Sequence, residues 1–256
     1  MSKLHYREQG SGQTVILIHG FPLNLNVWNS FAEKLSSSLQ VVTVDLPGFG
    51  KSAPLQAGFT LEDVASTVHS WVKEQNYREP VIVGHSLGGY VTLALAEADP
   101  GVLSGMCLFH STALADSTEK KDSRNKVLEF IEKQGVEAFT SNFVGQLYAD
   151  PKHASASKVR TIAVQSSKET VVGYTKAMRD RKDRTRVLQN FPAPILFLAG
   201  EKDQAIPAHS IKEQALECKD AEVVLLHDVA HMGMFEAEEE CQKKIQSFAQ
   251  KCGVTF

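Results

Sequence analysis

Apolar positions along this chain follow two rhythms. Short, nearly unbroken runs rich in Val, Ile and Leu occur at TVILIHG (14–20), VVTVDLPG (41–48), VIVGHS (81–86), GMCLFHS (105–111), ILFLAGE (195–201) and EVVLLHD (222–228). A strand with one wet face alternates apolar and polar residues, so runs this continuous predict strands buried on both faces, as in a parallel sheet. Between them, LEDVASTVHSWVKEQ (61–75) and GYVTLALAEADP (89–100) repeat apolar residues at helical spacing, and Pro100 with Gly101 ends the second. Strand–helix alternation of this kind predicts a doubly wound α/β sheet. At the start, LHYREQGSGQ (4–13) predicts a short antiparallel edge hairpin that closes on Gly10-Ser11-Gly12.

The alternation stops between Thr112 and Asn190, where the chain is polar and helix-like and has no strand run. Helices inserted between two strands form a cap over one edge of the sheet. The expected organisation is therefore a core of residues 1–111 and 191–256 with a helical cap over 112–190. Pro192-Ala193-Pro194 marks the return to the core.

Composition narrows the possibilities. The 256 residues are 43% hydrophobic and 22% charged, enough for one sizeable core in a single α/β domain. A net charge of −3 supplies no basic field, so a nucleic-acid partner is not expected. Cys107, Cys218, Cys241 and Cys252 show no CxxC pairing and read as reduced thiols. No His or Cys stands at a compact ligand spacing from another, so no metal is expected. MSKLHYREQG lacks an apolar signal region, and no stretch approaches the length of a membrane span. The expectation is a soluble, cytoplasmic protein without a membrane partner.

The chemistry gathers around VIVGHSLGG (81–89). Gly84-His85-Ser86-Leu87-Gly88 places G-x-S-x-G between a strand and a helix, the arrangement of a nucleophile elbow. Ser86 is expected in a strained turn, with Gly84 and Gly88 leaving room for the neighbouring backbone. A serine at its own pKa is a poor nucleophile and needs a base oriented by a third group. In this architecture the partners follow in the order acid, then His. Asp203 comes just past a strand end in GEKD (200–203), and His231 sits in the loop after the last strand in AHMG (230–233). Glu201 could substitute for Asp203, which could also cap a turn before Pro207. Asp228 reads as a loop cap, and His5, His69, His153, His209 and His227 have no matching context. Acyl transfer also needs amide donors for the oxyanion; the candidates are the N–H groups of Leu87 and of Phe21, in His19-Gly20-Phe21-Pro22.

With HGFP (19–22), DLPGFGKS (45–52), GHSLGG (84–89), GEKD and AHMG in this order, the sequence resembles the α/β-hydrolase fold family over essentially its whole length. The resemblance implies an eight-stranded, mostly parallel sheet with a helical cap inserted after the sixth strand. It makes the 45–52 loop structural, with Gly48 and Gly50 turning the chain and Asp45 anchoring it. Within the family, Ser86 argues against the haloalkane dehalogenases and epoxide hydrolases, which use Asp. Tyr90 stands where menaquinone-pathway lyases usually carry Arg, Phe21 where perhydrolases typically carry Trp, and His85 where carbon–carbon bond hydrolases commonly carry Asn.

The resulting expectation is a cofactor-free serine hydrolase acting on a small ester or lactone, similar to small carboxylesterases and enol-lactone hydrolases. The alternatives are a carbon–carbon bond hydrolase or perhydrolase using the same residues, or a slowly hydrolysing ligand receptor. Phe139, Phe143 and Met232 are the candidate substrate-binding residues, Met232 with Met234 flanking the base. Leu147 and Tyr148 share helical spacing with the two phenylalanines, and the alternative for this group is plain packing of the cap onto the core. Lys176, Arg179, Arg181, Lys182, Arg184 and Arg186 could bind a carboxylate, but the expectation is a solvated helix face.

Overall fold

The continuous apolar runs become a parallel sheet because the first five find cover on both sides; the strand of the last, expected to be buried likewise, lies at the sheet edge with Ala221 and Glu222 exposed. The computed structural model describes residues 4–253. In chain order it contains β1 (Tyr6–Gln9), β2 (Thr14–Ile18), α1 (Asn29–Leu35), β3 (Gln40–Val44), α2 (Leu61–Glu74), β4 (Val81–His85), α3 (Leu87–Ala98) and β5 (Gly105–Phe109). Then follow α4 (Thr118–Gly145), α5 (Ala156–Ala163), α6 (Lys168–Arg179), α7 (Thr185–Asn190), β6 (Ile195–Gly200), α8 (Ala208–Ala215), β7 (Ala221–Leu226), α9 (Gly233–Glu236) and α10 (Glu238–Cys252). Successive strand residues point to opposite faces. Ile16 and Ile18 accordingly pack with α2 and α3, and Val15 and Leu17 with α1 and α10.

The described residues form one seven-stranded sheet in the order β1-β3-β2-β4-β5-β6-β7, one strand fewer than the resemblance implied. The pairings of β2 through β7 are parallel, and β1 alone is antiparallel. The expected edge hairpin is corrected in its pairing: Tyr6 stands opposite Val44, so β1 lies against β3 and not against β2. The turn at Gly10-Ser11-Gly12 carries the chain past β3 to reach β2. Because β3 lies on one side of β2 and β4 on the other, the winding reverses between β2 and β4. In open α/β sheets ligands bind outside the strands' carboxyl ends at such a reversal. Here those ends carry His19-Gly20-Phe21 and Ser86.

Between β5 and β6 the chain is helical throughout its regular elements, α4 to α7. Gly135, at φ 83 and ψ 170, breaks α4 into two arms. Tyr174 ties α6 to the sheet side: its hydroxyl donates to Pro47 O at 3.0 Å, and its ring packs on Phe49. The 45–52 loop is held as the resemblance implied. The Asp45 carboxylate accepts from Leu25 N (2.8 Å), Lys51 N (3.0 Å) and the His5 ring (2.7 Å). Trp28 is fully buried at the start of α1, against Phe31.

The basic stretch around the end of α6 is only partly a solvated face: Lys176, Lys182 and Arg186 are exposed and Arg179 half-buried, but Arg181 and Arg184 are not. α6 ends at Arg179, and the irregular chain after it turns Arg181 and Arg184 inward, where they are 6% and 2% exposed. Arg184 pairs with Glu62 (2.7 Å) and Glu97 (3.1 Å), and Arg181 with Asp116 (2.6 Å). Paired guanidinium groups can be buried where unpaired ones cannot. Among the described residues no helix is long and apolar enough to cross a membrane.

Candidate active site

Ser86 stands between β4 and α3 with φ 51 and ψ −110, a conformation that costs a non-glycine residue backbone strain. The packing around the turn leaves no alternative. A Cβ on Gly84 would lie 2.5 Å from the Gly88 backbone, and one on Gly88 would lie 2.5 Å from Ile18 O. Ser86 N donates to Phe109 O at 2.9 Å, which fastens the turn to β5.

The carboxylate comes from the loop after β6. Asp203 is buried, and its Oδ1 accepts from Ala205 N (2.9 Å) and Ile206 N (3.0 Å). Its Oδ2 receives the His231 Nδ1–H at 2.7 Å and the His110 Nδ1–H at 3.2 Å. Burial alone would raise the Asp203 pKa. The facing His231 imidazole and the hydrogen bonds from His110 and His231 outweigh it and hold the carboxyl far below the usual range.

His231 is fixed mainly through its backbone. Its N–H donates to Leu147 O at 2.9 Å, and its carbonyl accepts from His85 Nε2 at 2.9 Å. Glu236 braces the same loop, accepting from Ala230 N (3.2 Å) and Met232 N (3.0 Å). One cavity of about 230 Å³ is lined by both Ser86 and His231, together with Phe21, Tyr90, Phe139, Phe143 and Leu147. The Phe21–Pro22 bond at its edge is cis. Phe139 and Phe143 stack on each other at 5.2 Å, and each lies 6.2 Å from the Phe21 ring.

Four positions weighed from the sequence fall elsewhere. Met232 is fully buried in the apolar layer that holds β7 and α10 and does not line the cavity, because the loop that offers His231 inward turns its successor away. Met234 is buried in that same layer. Tyr148 is likewise buried, with its hydroxyl paired to Ser155 at 2.8 Å. Asp228 is exposed and pairs with Lys202 at 2.7 Å. A larger groove, about 1080 Å³, runs between the 47–60 loop and α6 and contains none of Ser86, Asp203 or His231.

Sequence reasoning passed over His110, His85 and Glu236. His110 ends β5 in GMCLFHS, the same strand-end position that singled out Ser86 and Asp203, and this was the available signal. His110, Asp203 and His231 put possible metal-ligand atoms within 4.8 Å of one another. Their spacing is that of hydrogen bonds. The 2.7 Å between His231 and Asp203 is shorter than the edge of a zinc tetrahedron, roughly 3.3 Å for bonds of about 2.0 Å.

Three buried histidines are held neutral in single tautomers. His19 donates Nδ1–H to Gly20 O and accepts Leu46 N–H at Nε2. His110 accepts Gly233 N–H at Nε2, and its Nδ1, which donates to Asp203, is also approached by Gly200 N–H at 3.3 Å. His85 donates Nε2–H to His231 O, and its Nδ1 has no partner. Burial is the main cause that lowers all three below their ordinary 6.5, with His231 and His110 adding to the effect at His85. As pH falls through about 6.5 the unfolded chain therefore takes up protons that the folded chain refuses. Stability is full above that pH and should fall as the pH drops below it. His227, exposed beside Glu201 and Asp228, is shifted upward and opposes this trend. Urea midpoints should hold between pH 7.5 and about 6.5 and drop from there to pH 5; a flat series throughout would contradict the neutral assignment.

A family model described as alpha/beta hydrolase fold matches residues 13–238. A pimeloyl-[acyl-carrier protein] methyl ester esterase of Vibrio cholerae is 28% identical, over 95% of this chain and 97% of its own length. The dihydrolipoyllysine-residue acetyltransferase component of the Pseudomonas putida acetoin cleaving system is 26% identical over 94% of the chain, which spans only 64% of that relative. Among solved structures, a thermophilic esterase of Thermogutta terrifontis with malate bound superposes with a TM-score of 0.92 at 26% identity, covering 98% of this chain and 94% of that one.

Proposed function

From the premise that the chain belongs to the alpha/beta hydrolase fold family, we propose that it is a serine hydrolase cleaving a small carboxylic ester or lactone. The observation that carries this reading is one cavity walled by Ser86 and His231, with the imidazole bonded at 2.7 Å to a buried carboxylate. His231 donates Nδ1–H to Asp203, so its Nε2 is the free base. That nitrogen takes the Ser86 proton as Oγ attacks the carbonyl carbon, and returns it to the departing alcohol oxygen. The acyl group stays on Ser86 until water, deprotonated by the same nitrogen, attacks and releases the acid and the serine.

The negative charge that develops on the carbonyl oxygen is met by backbone amides in this reading. Leu87 is the first residue of α3, so its N–H has no acceptor within the helix. The Phe21 amide is the second donor. No cofactor takes part. The relatives' esterase names support ester chemistry. Four free cysteines suit a reducing compartment, and a cytoplasmic enzyme whose partner is its small substrate belongs to the same reading.

A fluorophosphonate probe tests the assignment directly. Rapid labelling that peptide mass spectrometry maps to Ser86 is expected; labelling elsewhere, or none alongside ester turnover, would remove Ser86 as the nucleophile.

A further inference from the structure

The cavity beside Ser86 carries charge that hydrolysis of a neutral ester does not require. Lys120, Ser123, Arg124 and Val127 line it from one face of α4, at the i, i+3, i+4, i+7 spacing of a helix side. Two of them are cations, and no Asp or Glu is among the residues that line the cavity. Arg124 bonds through Nε to Asp116, and the other oxygen of that carboxylate is taken by Arg181 at 2.6 Å. Arg181 is itself buried and stacked over the Tyr90 ring at 4.1 Å. Lys120 donates one of its three protons to Ala205 O at 2.8 Å. Three positive side chains, Lys120, Arg124 and Arg181, thus gather around the Asp116 carboxylate, and with Asp203 as the second carboxylate acting on Lys120 an excess of one positive charge is left.

That excess is not relieved within the protein. Lys120 stands in the first turn of α4, where the positive helix end disfavours a cation. Burial, with Arg181 and Arg124 adding to it, lowers the Lys120 pKa even though Asp116 and Asp203 pull the other way. Among the described residues Nη1 and Nη2 of Arg124 have no protein acceptor, so the planar fork that suits a carboxylate remains available.

We propose that Lys120 and Arg124 form an anion subsite, selecting substrates that carry a carboxylate remote from the scissile carbonyl. Half-esters of short dicarboxylic acids and carboxylated lactones are the substrate class. This rests on the reading of Ser86 as nucleophile and deepens it. The anion meets Lys120 and Arg124 while the ester carbonyl lies at Ser86, and the methylenes between lie against Val127, Phe139 and Phe143. At about 230 Å³ the cavity falls below the roughly 300 Å³ at which drug-sized sites begin, which keeps the spacer short.

The test compares kcat/KM for the monomethyl esters of succinate, glutarate and adipate with the dimethyl esters of the same acids. The best half-ester should exceed its diester by about tenfold or more, the scale of one charge-assisted hydrogen bond. In Lys120→Met and Arg124→Leu that ratio should fall to about one, with the loss carried mainly by KM. Arg124→Leu takes a partner from Asp116, so Lys120→Met, which breaks no ion pair, decides the matter if the arginine variant does not fold. A ratio near one in the unaltered enzyme, or an unchanged ratio in Lys120→Met, overturns the subsite while leaving ester hydrolysis standing. If neither ester class is turned over, calorimetry with the three free dicarboxylates decides. Binding weakened about tenfold by Lys120→Met keeps the subsite although the hydrolase reading fails; no binding, or binding indifferent to the substitution, removes both.

Discussion

Ser86→Ala is expected to lower kcat for p-nitrophenyl acetate by about 10⁴–10⁶-fold, the scale on which loss of an activated serine is felt. The reaction has no other route to an acyl-enzyme in this cavity, because the remaining hydroxyls on its wall, those of Tyr90, Ser123 and Thr175, lack the histidine partner. The protein itself should hardly register the change. The turn is held at φ 51 by the packing of Gly84 and Gly88, not by the Ser86 side chain, and alanine meets the same backbone. Unfolding free energy should stay within about 0.5–1 kcal/mol of the unaltered protein. Turnover above about one per cent of the original, measured on protein freed of contaminating esterases, would take the nucleophile away from Ser86.

Asp203→Asn should come next in size, with kcat down by about 10⁴. The amide oxygen can still accept from Ala205 N and Ile206 N, as Oδ1 does now. The amide nitrogen then takes the place of Oδ2 and points N–H at the Nδ1 protons of both His231 and His110. Two donors facing a third cannot persist, so His231 must move its proton to Nε2. A ring protonated there cannot accept the serine proton. The substitution also leaves buried donors without an acceptor, at about 1–3 kcal/mol for each. Circular dichroism at pH 8 should show a folded protein with little activity. A variant as active as the original would mean that the carboxylate does not orient the base.

Much of this was legible along the chain. The five buried strands β2 to β6 read as continuous apolar runs because a parallel sheet covered on both faces needs no polar alternation, whereas the similar run of β7 gave no sign of its partly exposed edge position. Ser86, Asp203 and His231 were findable because each follows a strand whose carboxyl end faces the same crevice. What could not be read depends on contacts between distant segments. β1 pairs with β3 across β2's place in the order, and nothing in LHYREQ encodes which neighbour it meets. Arg181 and Arg184 look like surface residues until Asp116, Glu62 and Glu97 arrive from other elements to neutralise them. Met232 is next to His231 in sequence yet lies on the other side of the loop. His110 passed for the end of a strand, although its strand-end position was the clue.

The interruption of α4 at Gly135 separates two traits that a straight rod would lock together. Upstream of it the arm presents Lys120 and Arg124, and downstream it presents Phe139 and Phe143. Because the helical hydrogen-bond ladder is interrupted between the arms, a substitution at position 120 or 124 is expected to leave the placement of Phe139 and Phe143 unchanged, and the converse.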